Sequence, residues 1–285
     1  MIDLHLHTTA SDGRCSPTAL VQRVHAAGVR VFAVTDHDTV AAHAEAAVAA
    51  AAHGVTFVPG LEVTAVDRGR DVHVLGYWID GAQPSFAAFL RDQRARRVAR
   101  VHAIGAALAA AGAAVDLDPL LTHLADRPGT SVGRPDLARL LVAAGHASSV
   151  QDAFDRYLAE GGPAYVPRTG VSPEEAVGLI HGAGGLASLA HPGVTRRDDR
   201  LAAWAAAGLD AIEAYHSDHD EADVVRYVER ARALRVLVTG GSDFHGDDPL
   251  SHRTRRRVVG GVALPADAWA AFAARHAATG AGRGA

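Results

Sequence analysis

The chain has 285 residues, 48% of them hydrophobic, with 28 basic residues against 32 acidic ones and a formal net charge of −4. That length can bury one barrel-sized core with an insertion, and the charge gives no general attraction to nucleic acid or anionic membrane. The single cysteine, Cys15, excludes an intramolecular disulfide and a thiolate cluster, so any metal must be held by nitrogen and oxygen. Lysine is absent, which excludes Schiff-base catalysis, a Walker-type phosphate loop and a carbamylated-lysine metal bridge. No apolar run reaches the ~20 residues that cross a bilayer, and no signal-peptide pattern opens the sequence, so a cytoplasmic location without a membrane partner is expected.

Ile2, Leu4 and Leu6 alternate with Asp3, His5 and His7, which predicts a strand with both imidazoles on one face. A helix follows over 17–27, opened by Ser16 and Pro17, then a strand over 29–35, a helix over 39–53 and strands over 55–63 and 72–78. Residues 85–170 break this rhythm with helix after helix and read as a helical insertion. Beyond it come a helix over 173–183 behind Ser172, a strand over 185–191, a helix over 196–207, a strand over 209–216, a helix over 219–233 and a strand over 235–243. The tail, 278–285, has no periodic pattern and is expected to be disordered. Strands alternating with helices imply parallel pairing and an α/β fold. Residues 1–84 and 171–277 would form the barrel and 85–170 the insertion subdomain.

The polar residues fall on this map in a pattern. His5 and His7 end the first strand, His37 follows the second, Glu62 closes the third and His73 lies in the fourth. His191, His216 and the pair Asp243 and His245 close the last three strands. Singly, each has a structural explanation: a cap for Glu62, a turn brace for Asp243, a core histidine for His73. Together they gather at the strand ends where barrel enzymes assemble their chemistry, which points to a metal centre. The other ten histidines, such as His25, His43, His53 and His102, fall in helices or loops and read as solvated or packing residues.

In SVGRPDLARLL, Pro135 suits a first helical turn and presents Arg134 where helix amides also favour an anion. Its guanidinium suits phosphate, the alternative being a solvated helix start. Arg91, Arg94, Arg96, Arg97 and Arg100 spread around one helix and read as a solvated face, with guidance of an RNA chain as the alternative; RTRRR at 253–257 is read in the same way.

The segments DLHLHTTASDG, AVTDHDTV, PGLEV, VHVLGY, LAHPG, EAYHSDH and GGSDFHG, in this order, resemble the polymerase and histidinol phosphatase (PHP) family of metal-dependent phosphoesterases. VGRPDLARLL and YLAEGGPAYVP further resemble its stand-alone branch, which includes nucleoside 3′,5′-bisphosphate phosphatases and enzymes that trim RNA from its 5′ end. The resemblance implies a distorted (β/α)7 barrel with a helical insertion and two to three divalent ions, Mn²⁺, Fe²⁺ or Zn²⁺. Carried onto this chain, it implies that His5, His7, Glu62 and Asp243 hold one ion and that Asp12, His37 and His245 hold a second. Glu62 would bridge to a third, completed by His73 and His191. His191, His216 and Asp243 would be catalytic, with metal-activated water as the attacking group and His216 or water as proton donor. Arg134 and His216 would contact substrate. The implied substrates are nucleoside 3′,5′-bisphosphates, with short 5′-phosphorylated RNA beside them and no obligate protein partner. Histidinol phosphate or another small phosphomonoester is the second reading, and a non-catalytic metal-binding module the third.

Overall fold

The computed structural model describes residues 1–247 and 258–281, so the arginine run at 253–257 lies outside the described residues. Seven strands form one sheet in sequential order: β1 (Ile2–Asp3), β2 (Val31–Val34), β3 (Thr56–Asp67), β4 (Arg70–Tyr77), β5 (Leu186–Leu189), β6 (Ala211–His216) and β7 (Leu237–Gly241). The first and last strands meet. Leu4 N–H donates to the Gly240 carbonyl at 3.1 Å, Asp243 N–H to the His5 carbonyl at 2.9 Å and His7 N–H to the Phe244 carbonyl at 3.0 Å, which rolls the sheet into a nearly closed barrel. β1 is shorter than predicted, and His5 and His7 stand on extended chain just beyond it.

Strand direction is not uniform, which corrects the all-parallel expectation. β1, β2 and β3 pair in parallel, as do β5, β6 and β7, but β4 runs antiparallel to both of its neighbours. The cause is the connection after β3: Arg68 (φ 50°) and Gly69 (φ 79°) make a two-residue turn, whereas a parallel return needs a dozen residues or more. The hairpin also carries β3 on to Asp67, so Glu62 lies in mid-strand rather than at its end. Because β4 descends, its first half, with His73, stands at the same end of the barrel as the carboxyl ends of the other strands.

The described residues also form eleven α-helices. α1 (Pro17–Ala26) and α2 (His43–His53) cover β1 and β2, and Ser16 caps α1 by accepting the Ala19 N–H. α3 (Pro84–Ala110) has 27 residues, about 40 Å at 1.5 Å per residue, and climbs from the barrel floor to the site end. Its Phe86 and Leu90 pack with Ala176 and Ile180, Arg97 reaches Thr64, and Val101, Ile104 and Leu108 join a separate core. That second core is completed by α4 (Asp118–Asp126), α5 (Arg134–Ala143), α6 (Val150–Ala153) and the π-helical turn Phe154–Leu158. α7 (Pro173–Gly182), α8 (Pro192–Thr195), α9 (Leu201–Ala206) and α10 (Glu221–Leu234) return the chain to the barrel wall. The helix expected over 196–207 is reduced to a 3₁₀ turn and α9, since Arg197 and Arg200 turn inward to pair with Asp67. α11 (Ala266–Ala281) corrects the expected tail over 278–281; residues 282–285 lie outside the described residues. It is held because Phe272 is fully buried against Tyr77, their rings 5.3 Å apart and nearly perpendicular. That burial contributes roughly 1.5–3 kcal/mol and closes the barrel floor. Among the described residues no helix is long and apolar enough to cross a membrane.

Candidate metal centre

The two N-terminal imidazoles converge with two carboxylates. His5 Nε2 and His7 Nε2 are 3.1 Å apart; Glu62 Oε2 lies 3.3 and 3.4 Å from them, and Asp243 Oδ1 lies 3.4 and 3.2 Å from them. A tetrahedral ion with bonds of about 2.0–2.1 Å has ligand–ligand edges of about 3.3–3.4 Å. The five edges match that size, and two imidazole nitrogens converging with two carboxylate oxygens form a donor set that a divalent cation can use. Further fit comes from buried ring nitrogens without a hydrogen-bond partner: His7 Nδ1, His37 Nδ1 and His191 Nδ1. The residues present therefore suit divalent cations.

Two further groups flank this one. Asp12 Oδ1 is 3.3 Å from His245 Nε2 and 3.7 Å from His7 Nδ1, while Asp12 Oδ2 is 3.7 Å from His37 Nε2. His7 thus offers one ring nitrogen to each of two groups, a sharing that its sequence spacing does not reveal. Glu62 divides likewise: Oε2 faces His5, His7 and His37, whereas Oε1 lies 2.7 Å from His73 Nδ1 and 3.0 Å from His191 Nε2. A carboxylate reaching in two directions is what a bridging role needs. All nine residues expected as ligands are brought together. His216 also joins them, its Nε2 3.4 Å from Asp243 Oδ2, but its ring is fully covered. Its Nδ1 accepts the Asp218 N–H at 3.1 Å, so the neutral ring carries its proton on Nε2, toward Asp243 and not toward open solvent.

Two acidic supports have no counterpart in the sequence reading. Glu213, fully buried in β6, accepts from His5 Nδ1 at 2.9 Å and from the His191 N–H at 2.8 Å, fixing one imidazole and the backbone of another. Its signal was an acid flanked by apolar residues within the run LDAIEAYH. Asp36 accepts from Thr8 N–H at 2.7 Å and Thr8 Oγ1 at 2.6 Å and shapes the turn that bears Asp12. Arg97 corrects the solvated-face reading: it is 6% exposed, with Nε 2.6 Å from Asp38 Oδ2, Nη2 2.7 Å from Thr64 Oγ1 and Nη1 3.0 Å from the Val132 carbonyl. The climb of α3 along the barrel wall turns this position inward.

Charge follows from the crowding. Burial would raise Glu62, but His37, His73 and His5 and the hydrogen bond from His191 hold it well below the usual carboxylate range. Burial would lower His5, yet Glu213, Asp243 and Glu62 raise it well above an ordinary imidazole; His191 is raised against its burial by Glu62. The raised rings favour their protonated forms, and a cation must compete with those protons. Mn²⁺ binding is therefore expected to release protons and to weaken as pH falls. Calorimetry in buffers of different ionisation enthalpy checks this, and a buffer-independent heat would contradict it.

The PHP domain family matches residues 3–101. Over 249 residues the chain is 38% identical to the 3′,5′-nucleoside bisphosphate phosphatase of Chromobacterium violaceum, covering 86% of this chain and 87% of that protein. The chain belongs to the PHP family. This PHP protein is also 36% identical over 251 residues to a 5′-3′ exoribonuclease of Haemophilus influenzae, covering 85% and 89% of the two chains. A solved structure assigned as a metal-dependent phosphoesterase, from Bifidobacterium adolescentis, superposes on it with a TM-score of 0.85 at 31% identity, covering 96% of this chain and 95% of that one. PHP membership together with this ligand arrangement makes the protein a metal-dependent phosphoesterase, a hydrolase of phosphoric esters.

Proposed function

We propose that this PHP protein removes the 3′-phosphate of nucleoside 3′,5′-bisphosphates. His5, His7, Glu62 and Asp243 would hold one cation, Asp12, His37 and His245 a second, and His73 and His191 with Glu62 a third. Bound divalent ions would polarise the phosphoryl group and make water acidic enough to attack it near neutral pH. The mixed imidazole and carboxylate donors suit Mn²⁺, Fe²⁺ or Zn²⁺. Glu213 and Asp36 keep the imidazoles and the Asp12 turn in place, so little reorganisation accompanies the reaction.

The observation that carries the substrate reading is a cationic pocket beside the ligands. Arg134 lies between two cavities that both touch His73. One, of about 130 Å³, has a lining that sets Arg97, Arg134 and Arg168 against Asp12 and Asp71. The other, of about 390 Å³, has a lining that sets Arg70 and Arg134 against Asp71 and Glu160 beside His191. Arg134 Nη2 is 3.3 Å from Asp71 Oδ2, and Arg168 Nε is 3.0 Å from the same oxygen. Asp71 thus keeps a partner when Arg134 turns to an anion. Burial and the facing guanidinium of Arg97 lower Arg168 to about 9, and burial and Arg134 lower Arg100 to about 10, as expected where cations outnumber carboxylates. A second phosphate would relieve that excess and align the reacting one.

A short RNA bearing a 5′-phosphate is the second reading, favoured by the larger cavity at His191, which leaves room for a continuing chain. The expected kcat/KM for 3′,5′-bisphosphoadenosine exceeds that for 5′-AMP and histidinol phosphate. Parity among the three would remove the bisphosphate assignment and leave the phosphoesterase. Arg134→Ala should keep metal content and raise KM for the bisphosphate about tenfold, corresponding to roughly 1.5 kcal/mol for a charged contact. Unchanged KM would return Arg134 to a purely structural role.

A further inference from the structure

We propose that Arg139 is a positioning residue that holds the backbone of Asp12, making α5 part of the scaffold of the metal centre as well as the carrier of Arg134. The inference rests on the metal-centre reading above. Asp12 lies on a tight turn: a Cβ on Gly13 would come within 2.5 Å of the His7 carbonyl carbon, and Gly13 N–H donates to the Thr8 carbonyl at 3.0 Å. Asp36 grips this turn from the barrel side. From the opposite side Arg139 Nη2 donates to the Asp12 carbonyl at 2.6 Å, and Ser131 N–H donates to the Ala10 carbonyl at 2.8 Å.

The guanidinium is itself braced. Arg139 Nη1 donates to Asp136 Oδ1 at 2.8 Å, and Asp136 Oδ2 accepts the Gly133 N–H at 2.9 Å, closing the first turn of α5. The contacts run without a break from the turn presenting Arg134, through Asp136 and Arg139, to the main chain of Asp12. This gives roles to Asp136 and Arg139 of the GRPDLAR stretch, which a phosphate contact by Arg134 leaves unused. A planar fork held at both nitrogens fixes a carbonyl better than a flexible cation could. Its effect falls on the group formed by Asp12, His37 and His245. The hydrogen bonds and ion pair described for Arg139 go to Asp12 and Asp136, and none goes to His5, Glu62 or Asp243.

The test is Mn²⁺ titration of metal-free wild type, Arg139→Ala and Arg139→Lys by calorimetry, with electron paramagnetic resonance of the bound ions. Arg139→Ala is expected to weaken one ion about tenfold or more and to leave the others at wild-type affinity. Arg139→Lys should recover part of the loss, because an ammonium reaches the carbonyl but cannot also grip Asp136 in plane. Thermal unfolding in EDTA within a few degrees of wild type shows that the lost ion is not a lost fold; should Arg139→Ala fail to fold, the lysine variant carries the test. Wild-type stoichiometry and affinity in Arg139→Ala, or equal weakening of every ion, would overturn the proposal. Wild type that takes up no Mn²⁺ would instead overturn the metal-centre reading and this inference with it.

Discussion

Glu62→Gln is expected to lower turnover by on the order of a thousandfold and to remove more than one bound ion while the fold persists. The carboxylate meets five imidazoles, three through Oε2 and two through Oε1, and an amide can offer only one oxygen, uncharged. The metal-free fold should tolerate the loss, since the facing rings can shed protons. Asp243→Asn makes a useful contrast: it faces His5 and His7 through Oδ1 alone and sits at φ 53°, a conformation that asparagine accepts, so it should abolish activity with a smaller loss of metal. Elemental analysis and circular dichroism of the two variants decide the matter. Full metal content in Glu62→Gln would refute the bridging role.

The second large effect is on stability. Arg97→Ala would leave Asp38, 1% exposed, as a buried charge without its guanidinium partner, and about 3–5 kcal/mol of stability should be lost. Burial raises Asp38, but Arg97 and the Thr64 N–H hold its pKa below the ordinary 3.8. The folded value being the lower one, the pair stabilises the protein above about pH 4, and its contribution fades as pH falls below that. Denaturant midpoints at pH 7 should therefore drop sharply in Arg97→Ala and recover in part in Asp38→Asn/Arg97→Met. An unshifted midpoint in the single variant would mean that water serves Asp38 as well as Arg97 does.

Most of the strands and the gathering of histidines were legible from local pattern: alternating leucines at the first strand, and polar residues at or near the ends of apolar runs. Asp12 and the grouping of the nine candidates came only from the resemblance to the PHP family. The reversal of β4 was not legible, since a hairpin and a helical crossover begin with the same kind of strand and differ only in the short turn Arg68–Gly69. Arg97 and Glu213 escaped for a different reason. Helix periodicity places Arg97 among exposed arginines, and only the line of α3 along the barrel shows which way it faces. Glu213 lies between apolar neighbours, where its partners, His5 and the His191 backbone, are distant in sequence.

The descent of β4 leaves the chain at the foot of the barrel, and α3 must regain the whole height before the helices around Arg134 can begin. None of the nine candidate ligands comes from the segment between β4 and α7. A different segment here would alter which ester is accepted, but it would have to arrive at the same level and keep the contacts that Arg97 makes with Asp38 and Arg139 with Asp12. Shortening α3 by one turn would lower the segment by about 5.4 Å and misalign it with the core. A graft that omitted a counterpart of Arg139 would disturb the Asp12 turn, and one that omitted a counterpart of Arg97 would strand Asp38, so transplanting specificity between such barrels means carrying over these guanidinium groups too.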